Sequence, residues 1–256
     1  ETLNALTLQS LSNNPDIILW PEAPLPLLYS NIKDTYYKNI LGTIPSSVSL
    51  VSGSFYGKNN TVFNSLINIT DSKNIYHKRH LVPFGEYLPY RDYFLFFYNT
   101  LGISILDISK GNSSHSIGIN NYLAHSLICY ESIFSNDSLI KNPNIDFIIN
   151  VTNDGWFGNS LAPIQHLDAL RMRSLESQRY AVRAANGGIS AFISPYGDII
   201  EYLPYGKKGI LNYDIYSING LTPISQYGYN ILYIFIFFIF LYSTIYYNLN
   251  VFRRKN

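Results

Sequence analysis

Leu127-Ile128-Cys129-Tyr130-Glu131 reads as the end of a buried strand carrying the single cysteine of the 256-residue chain, followed at once by an aromatic ring and a carboxylate. A lone cysteine excludes an internal disulfide and a CxxC metal site, which leaves two readings: an inert core thiol or a nucleophile. Free cysteine is among the most buried residue types, so composition alone favours the inert one.

Three other stretches shift that balance. Leu19-Trp20-Pro21-Glu22-Ala23-Pro24 ends a short apolar run with a carboxylate set between prolines, which fix the backbone and so the direction of the side chain. The run Tyr76-His77-Lys78-Arg79-His80-Leu81-Val82-Pro83-Phe84-Gly85-Glu86-Tyr87-Leu88-Pro89 places a lysine and a second glutamate among aromatics and prolines. Asn150-Val151-Thr152-Asn153-Asp154-Gly155-Trp156-Phe157-Gly158 leaves a further strand into a turn with two aromatics. Taken singly, a glutamate beside prolines is usually a loop residue or a cap, and a lone lysine is usually solvated.

Together the four stretches resemble the carbon-nitrogen hydrolase (nitrilase) superfamily. Their wording, WPE-x-P, HK-x-HLVPFGEYLP, CYE and N-x-TNDGWFG, is similar to its apolipoprotein N-acyltransferase branch. The resemblance implies a catalytic set of Glu22 as base, Lys78 as the positive charge beside thiolate and oxyanion, and Cys129 as nucleophile. It implies that Glu86 orients Lys78 or lines the pocket, that Glu131 is support, and that the Tyr130 backbone N–H helps to hold the oxyanion. Trp156 and Phe157 would line the substrate pocket, against a plain packing alternative. His77 and His80 stand three apart but lack a third ligand at metal spacing, so they read as structural, with no metal and no cofactor expected. One departure lies at Gln178-Arg179-Tyr180, where relatives often carry Gly-Arg-Pro or similar; it bears on the subgroup, not the triad.

Composition sets outer limits. A net charge of +1 offers no electrostatic case for nucleic acid. Charged residues make up only 14% and aromatics reach 16%, a balance that hints at a membrane neighbour. Ile, Asn, Tyr and Phe are inflated throughout, so no single exposed tyrosine marks a site. The chain starts at Glu1 and shows no signal peptide, which reads as a fragment. The resemblance implies upstream transmembrane helices and a first strand of the catalytic domain that these residues do not include.

Along the chain, residues 1–13 read as an amphipathic helix and Asp16–Trp20 as a short buried strand. A helix follows over Pro26–Leu41, then two strands, Val48–Tyr56 and Thr61–Thr70, and a third ending near Tyr76 just before Lys78. The aromatic run Tyr93–Tyr98 is too short to span a bilayer and reads equally as a helix on a membrane or a buried one. Asn121–Tyr130 and Asp146–Thr152 read as buried strands with a helix over Ser132–Lys141 between them. A helix is expected within Leu161–Ala185, and final strands at Gly188–Ser194 and Gly209–Ile215. This alternation predicts one α/β domain over residues 1–225. The resemblance sharpens it to a nitrilase-like four-layer α-β-β-α sandwich. Residues 229–248 lack any charge and suffice for one transmembrane helix, ahead of a basic tail, 249–256, with Arg253, Arg254 and Lys255. The positive-inside tendency places that tail in the cytoplasm and the folded domain across the membrane, on the periplasmic side of a bacterial inner membrane.

The leading functional expectation is therefore transfer of a fatty acyl chain. A membrane phospholipid would donate it, a Cys129 thioester would carry it, and the N-terminal amine of a diacylglyceryl-cysteine lipoprotein would accept it. A nitrilase-type amidase with water as acceptor, and a non-catalytic membrane-anchored relative, remain as alternatives.

Overall fold

In the computed structural model the described residues are 2–102, 107–158 and 160–255, with the side chains of 92, 98, 99 and 248–255 outside the description. Two sheets form. The first has the order β1 (Ile17–Leu19), β2 (Ser49–Lys58), β3 (Thr61–Asn68), β4 (Ile75–His77), with β1 parallel to β2 and the other pairs antiparallel. The β2–β3 loop is Asn59-Asn60, both at positive φ (49° and 65°), the two-residue turn whose twist matches a hairpin.

The second sheet comprises β5 (Ser116–Ile119), β6 (Tyr122–Ile128), β7 (Phe147–Asn153), β8 (Ala181–Asn186), β9 (Ser190–Ile193) and β10 (Ile199–Leu203). Its spatial order is β10-β9-β8-β7-β6-β5, with β6, β7 and β8 parallel.

Strand periodicity sorts the apolar residues into three layers of core. Val51, Leu66 and Tyr76 from the first sheet meet Ala124, Ile128, Ile149 and Val151 from the second. Their strand neighbours point the other way. Leu50 and Ile67 pack under the helical segment formed by α1 (Thr2–Ser10), α2 (Tyr29–Ile32), a π turn (Lys33–Tyr37) and α3 (Lys38–Leu41). Leu127 and Ile148 pack under α5 (Ala162–Ser177), which follows α4 (Arg91–Thr100) in the chain. The result is the expected α-β-β-α sandwich. Each buried Leu, Ile or Val contributes about 1.5–3 kcal/mol, so all three interfaces are strongly held.

Several expectations need correction. The helix of the 161–185 stretch ends at Ser177, because Gln178 turns left-handed (φ 51°) and the Arg179 guanidinium takes the carbonyls of Ser177 and Gln178. Residues 181–186 are instead the central strand β8. No α-helix follows Cys129: residues Cys129–Ile133 form one 3-10 turn, and the chain then continues in turns to Lys141. The last strand is β10, while Gly209–Ile215 runs without a ladder along the cavity beside β1 and α1. β5 was not foreseen at all.

Two helices face outward. α4 exposes Tyr93, Phe94, Leu95, Phe96 and Phe97, so the buried alternative does not hold. Past α6 (Pro223–Tyr227), α7 (Asn230–Lys255) is the one helix among the described residues long and apolar enough to cross a membrane, over Asn230–Tyr247. None of that span is buried against the domain, so it is not a core helix.

Candidate active site

β1, β4, β6 and β7 all end on one side of the sandwich, and the chain leaves each with a polar residue. Glu22 follows β1, Lys78 follows β4, Cys129 follows β6 and Asp154 follows β7. The carboxyl ends of strands are where α/β sheets usually build their sites. Here the four converge.

Lys78 is almost fully buried, with Nζ 2.9 Å from Glu86 Oε1 and 3.6 Å from Glu22 Oε1. Burial disfavours its charge, but Glu22, the cysteine and Glu86 outweigh that and raise its pKa. Asn64, on β3, donates from Nδ2 to both Glu22 Oε1 (2.7 Å) and Glu86 Oε1 (2.8 Å), and its carbonyl accepts the Lys78 N–H. The Asn153 N–H donates to Glu22 Oε2 at 2.8 Å. The groups bonded or paired to the Glu22 carboxyl among the described residues are thus donors, which leaves it poised as an acceptor.

Cys129 is half-buried and sits at φ 52°, a left-handed conformation costing about 1–2 kcal/mol for a residue with a Cβ. Ala23 (φ 38°) and Phe84 (φ 62°) beside the other two motifs share this strain. Such outliers cluster where the surroundings over-determine the backbone. Desolvation and the Glu22 charge push the thiol up to about 12, against the lowering effect of Lys78 and of the nearby Thr152 hydroxyl. The resting sulfur is a protonated thiol.

Glu131 is buried and joins two of the motifs. Its Oε1 accepts from Tyr76 Oη (2.8 Å), Arg79 N (2.7 Å) and His80 N (3.1 Å), while Oε2 accepts from Ile128 N (2.7 Å). The segment after Lys78 is thereby fixed to the residue before Cys129. Tyr130 exposes its ring, and its amide lies in the first turn of the 3-10 helix, where N–H groups have no intrahelical acceptor. Phe157 stands edge-on to His166 with ring centroids 6.3 Å apart; Trp156 is 86% exposed. His77 pairs with Ser65 and stacks on Phe63, and His80 faces Asp137 and Phe134, so the two histidines diverge.

Beneath Cys129 lies a buried cluster that the motifs did not announce. Asp154 Oδ2 pairs with Arg183 Nη2 at 2.6 Å, and its Oδ1 meets His166 Nδ1 at 3.0 Å and the Thr152 hydroxyl at 2.8 Å. Burial pushes the Asp154 carboxyl up, but His166 and Arg183 together hold it below the usual range. Asp154 and Thr152 lay in the quoted stretches with no role given them. Arg183 had been placed on a helix, and neither Asn64 nor His166 carries any sequence signal. A cavity of about 800 Å³ lies elsewhere, between β1 with α1 and residues 206–215, and none of Glu22, Lys78 or Cys129 lines it.

A family model described as carbon-nitrogen hydrolase matches residues 8–217. The chain belongs to the carbon-nitrogen hydrolase family. Solved carbon-nitrogen hydrolases share the fold. One from Xanthomonas campestris superposes with a TM-score of 0.59 at 14% identity, covering 80% of each chain. An amidase from Nesterenkonia sp. gives 0.55 at 13% identity over 79% of this chain and 78% of that one. Curated relatives are nearer in sequence. The apolipoprotein N-acyltransferase of Wigglesworthia glossinidia brevipalpis is 34% identical over 86% of this chain and 46% of its own length. That of Methylococcus capsulatus is 33% identical over 83% of this chain and 43% of its own. The chain therefore spans less than half the length of these relatives.

Proposed function

We propose that this chain is the catalytic part of a membrane N-acyltransferase acting on apolipoproteins, with Cys129 as nucleophile, Glu22 as general base and Lys78 as electrostatic partner. The observation that carries the reading is the convergence of three motifs 50 or so residues apart onto one buried cluster, with Lys78 between Glu22 and Glu86 and the charges of both Glu22 and Lys78 felt at the thiol. The sequence likeness to the two N-acyltransferases supplies the substrate class.

The chemistry follows from the thiol's resting state. With the proton firmly on sulfur, attack on an ester carbonyl requires its transfer to Glu22 as the S–C bond forms. Negative charge then moves to the carbonyl oxygen, which Lys78 Nζ and the Tyr130 N–H stabilise. Collapse expels the lysophospholipid alkoxide, which takes the proton back from Glu22, and leaves a thioester on Cys129. The α-amine of a diacylglyceryl-cysteine attacks that thioester, Glu22 removes its proton, and the thiol is regenerated as the amide forms. Exposed aromatics on α4 and the apolar α7 suit a site supplied from a bilayer. By the positive-inside tendency the domain sits on the periplasmic face of the inner membrane.

The test is to present the full-length protein in membranes with a phospholipid bearing a labelled acyl chain and seek the label on the Cys129 peptide by mass spectrometry. A hydroxylamine-labile adduct in the parent, lost in Cys129→Ala, is the expected result. No adduct, with hydrolysis of small amides retained, would sink the transferase reading in favour of an amidase.

A further inference from the structure

The cluster under Cys129 touches that residue at both ends. His166 Nε2 lies 2.8 Å from the Cys129 carbonyl oxygen; because a carbonyl only accepts, Nε2 carries the hydrogen. The ring's other nitrogen faces Asp154 Oδ1 at 3.0 Å and Arg183 Nη2 at 3.2 Å. Thr152 gives its single hydroxyl hydrogen to Asp154 and also stands beside the sulfur, where it can turn that hydrogen to a thiolate. Asn150 adds a donor to the Leu127 carbonyl at 3.0 Å and binds the Arg183 guanidinium through its own oxygen. All these side chains are buried. Gly188 leaves room for them, since a Cβ there would stand 2.5 Å from Asp154 Oδ2.

We propose that His166, Asp154 and Thr152 form a positioning cluster that grips Cys129 by its carbonyl, with the Thr152 hydroxyl held ready beside its sulfur. The grip holds the strained left-handed turn that aims the thiol at Glu22 and Lys78. The inference rests on the reading of Cys129 as the nucleophile. A buried ion pair whose task was only to join β7, β8 and α5 would have no need to end on the strained residue that carries the thiol. Here both branches from Asp154 end there. Arg183 holds the Asp154 carboxylate by charge, so that it orients the imidazole and the hydroxyl together.

The test uses the full-length protein in membranes, with two readouts at the Cys129 peptide: alkylation by iodoacetamide across pH, and thioester formation from a labelled phospholipid. His166→Leu removes the shortest donor to the carbonyl, leaving only the longer contacts from Ser132 Oγ (3.4 Å) and Asn150 Nδ2 (3.5 Å); His166→Gln keeps an N–H that can reach it. The leucine variant is expected to lose at least roughly tenfold in both rates while keeping a cooperative thermal transition, and glutamine to recover most of the loss. Thr152→Val removes the hydroxyl that can turn its hydrogen to a thiolate while leaving Glu22, Lys78, Asp154 and Arg183 in place, and is expected to move the alkylation midpoint to higher pH. Folded leucine and valine variants with the parent's rates and pH profile would overturn the inference, as would a glutamine variant no better than leucine. If His166→Leu does not fold, Thr152→Val decides alone by the same criterion. A parent that neither forms a thioester nor hydrolyses small amides refutes the nucleophile reading and this inference with it; a reactive parent matched by its variants refutes this inference only.

Discussion

At Cys129 the environment resists the ionisation that nucleophilic attack needs. A thiol pushed up to about 12 holds roughly one part in 10⁵ as thiolate at pH 7, so a base must act within the bond-forming step. Glu22→Gln keeps an acceptor for Asn64 and Asn153 but cannot take the proton. Single-turnover thioester formation should fall about 10²–10⁴-fold with the thermal midpoint little changed, and a rate within threefold of the parent would remove Glu22 from the role. A second expectation concerns pH. Without substrate, alkylation of Cys129 should still be rising at about pH 10–11, where a free cysteine with its midpoint at about 8.5 has levelled off; saturation near pH 7 would mean that Lys78 outweighs burial. The folded pKa exceeds the unfolded one, so this group also costs stability as pH rises above about 8.5. Glu22, Lys78 and Cys129, which the fold brings together, stood out in the sequence because each sits in a long motif. Asn64, His166 and Arg183 were not, because a buried polar residue facing a site follows the same alternation as an apolar one and declares itself only through partners distant in sequence.

At the scale of elements, the passage of the Glu22 loop over β2 depends on one missing side chain. A Cβ at Gly53 would lie 2.6 Å from Glu22 Cα and 2.7 Å from Ala23 N, both backbone atoms with nowhere to go. Gly53→Ala should cost about 1–3 kcal/mol of stability through overpacking and displace the base. Acylation should then fall by more than tenfold, about the cost of an ångström-scale misplacement; a folded variant with parental acylation would show that the loop tolerates the shift. The β5–β6 pair carries a different liability. His125, on β6, and His115, just before β5, touch at 5.3 Å between ring centroids, and burial pushes them down to about 3 and about 4. Unfolded histidines take up protons near 6.5, so the unfolded state binds more protons between that pH and about 3, and stability falls as pH falls through this window. The slope is at most about 1.4 kcal/mol per pH unit for each ring. His125→Asn should flatten the decline of the thermal midpoint between pH 6.5 and 4, and an unchanged slope would acquit that ring. Strands flanked by clear turns, such as β2 and β3, were readable from pattern alone. β8 was not, because Ala181 continues the apolar spacing of α5 and the stop depends on the left-handed Gln178 and on Arg179 reaching carbonyls, with no glycine to mark it.

In the whole molecule, the sandwich and the two outward helices divide the work between chemistry and access. The three interleaved cores hold Glu22, Lys78 and Cys129 at one end of the strands, while α4 and α7 offer large apolar side chains that nothing in the domain covers. The four layers came from the resemblance, since strand and helix alternation alone fits many α/β arrangements. The candidate membrane helix came from plain hydropathy. Its orientation turns on the basic residues after the apolar run. In a Cys129→Ala background, the exposed Lys207→Cys reports the side occupied by the domain and Asn256→Cys that of the tail. Spheroplasts treated with a membrane-impermeant maleimide should label Lys207→Cys at once and Asn256→Cys only after lysis. Labelling of the tail cysteine in intact spheroplasts, with Lys207→Cys protected, would reverse the orientation and put Cys129 on the cytoplasmic face, where lipoprotein precursors exported across the bilayer would be out of its reach.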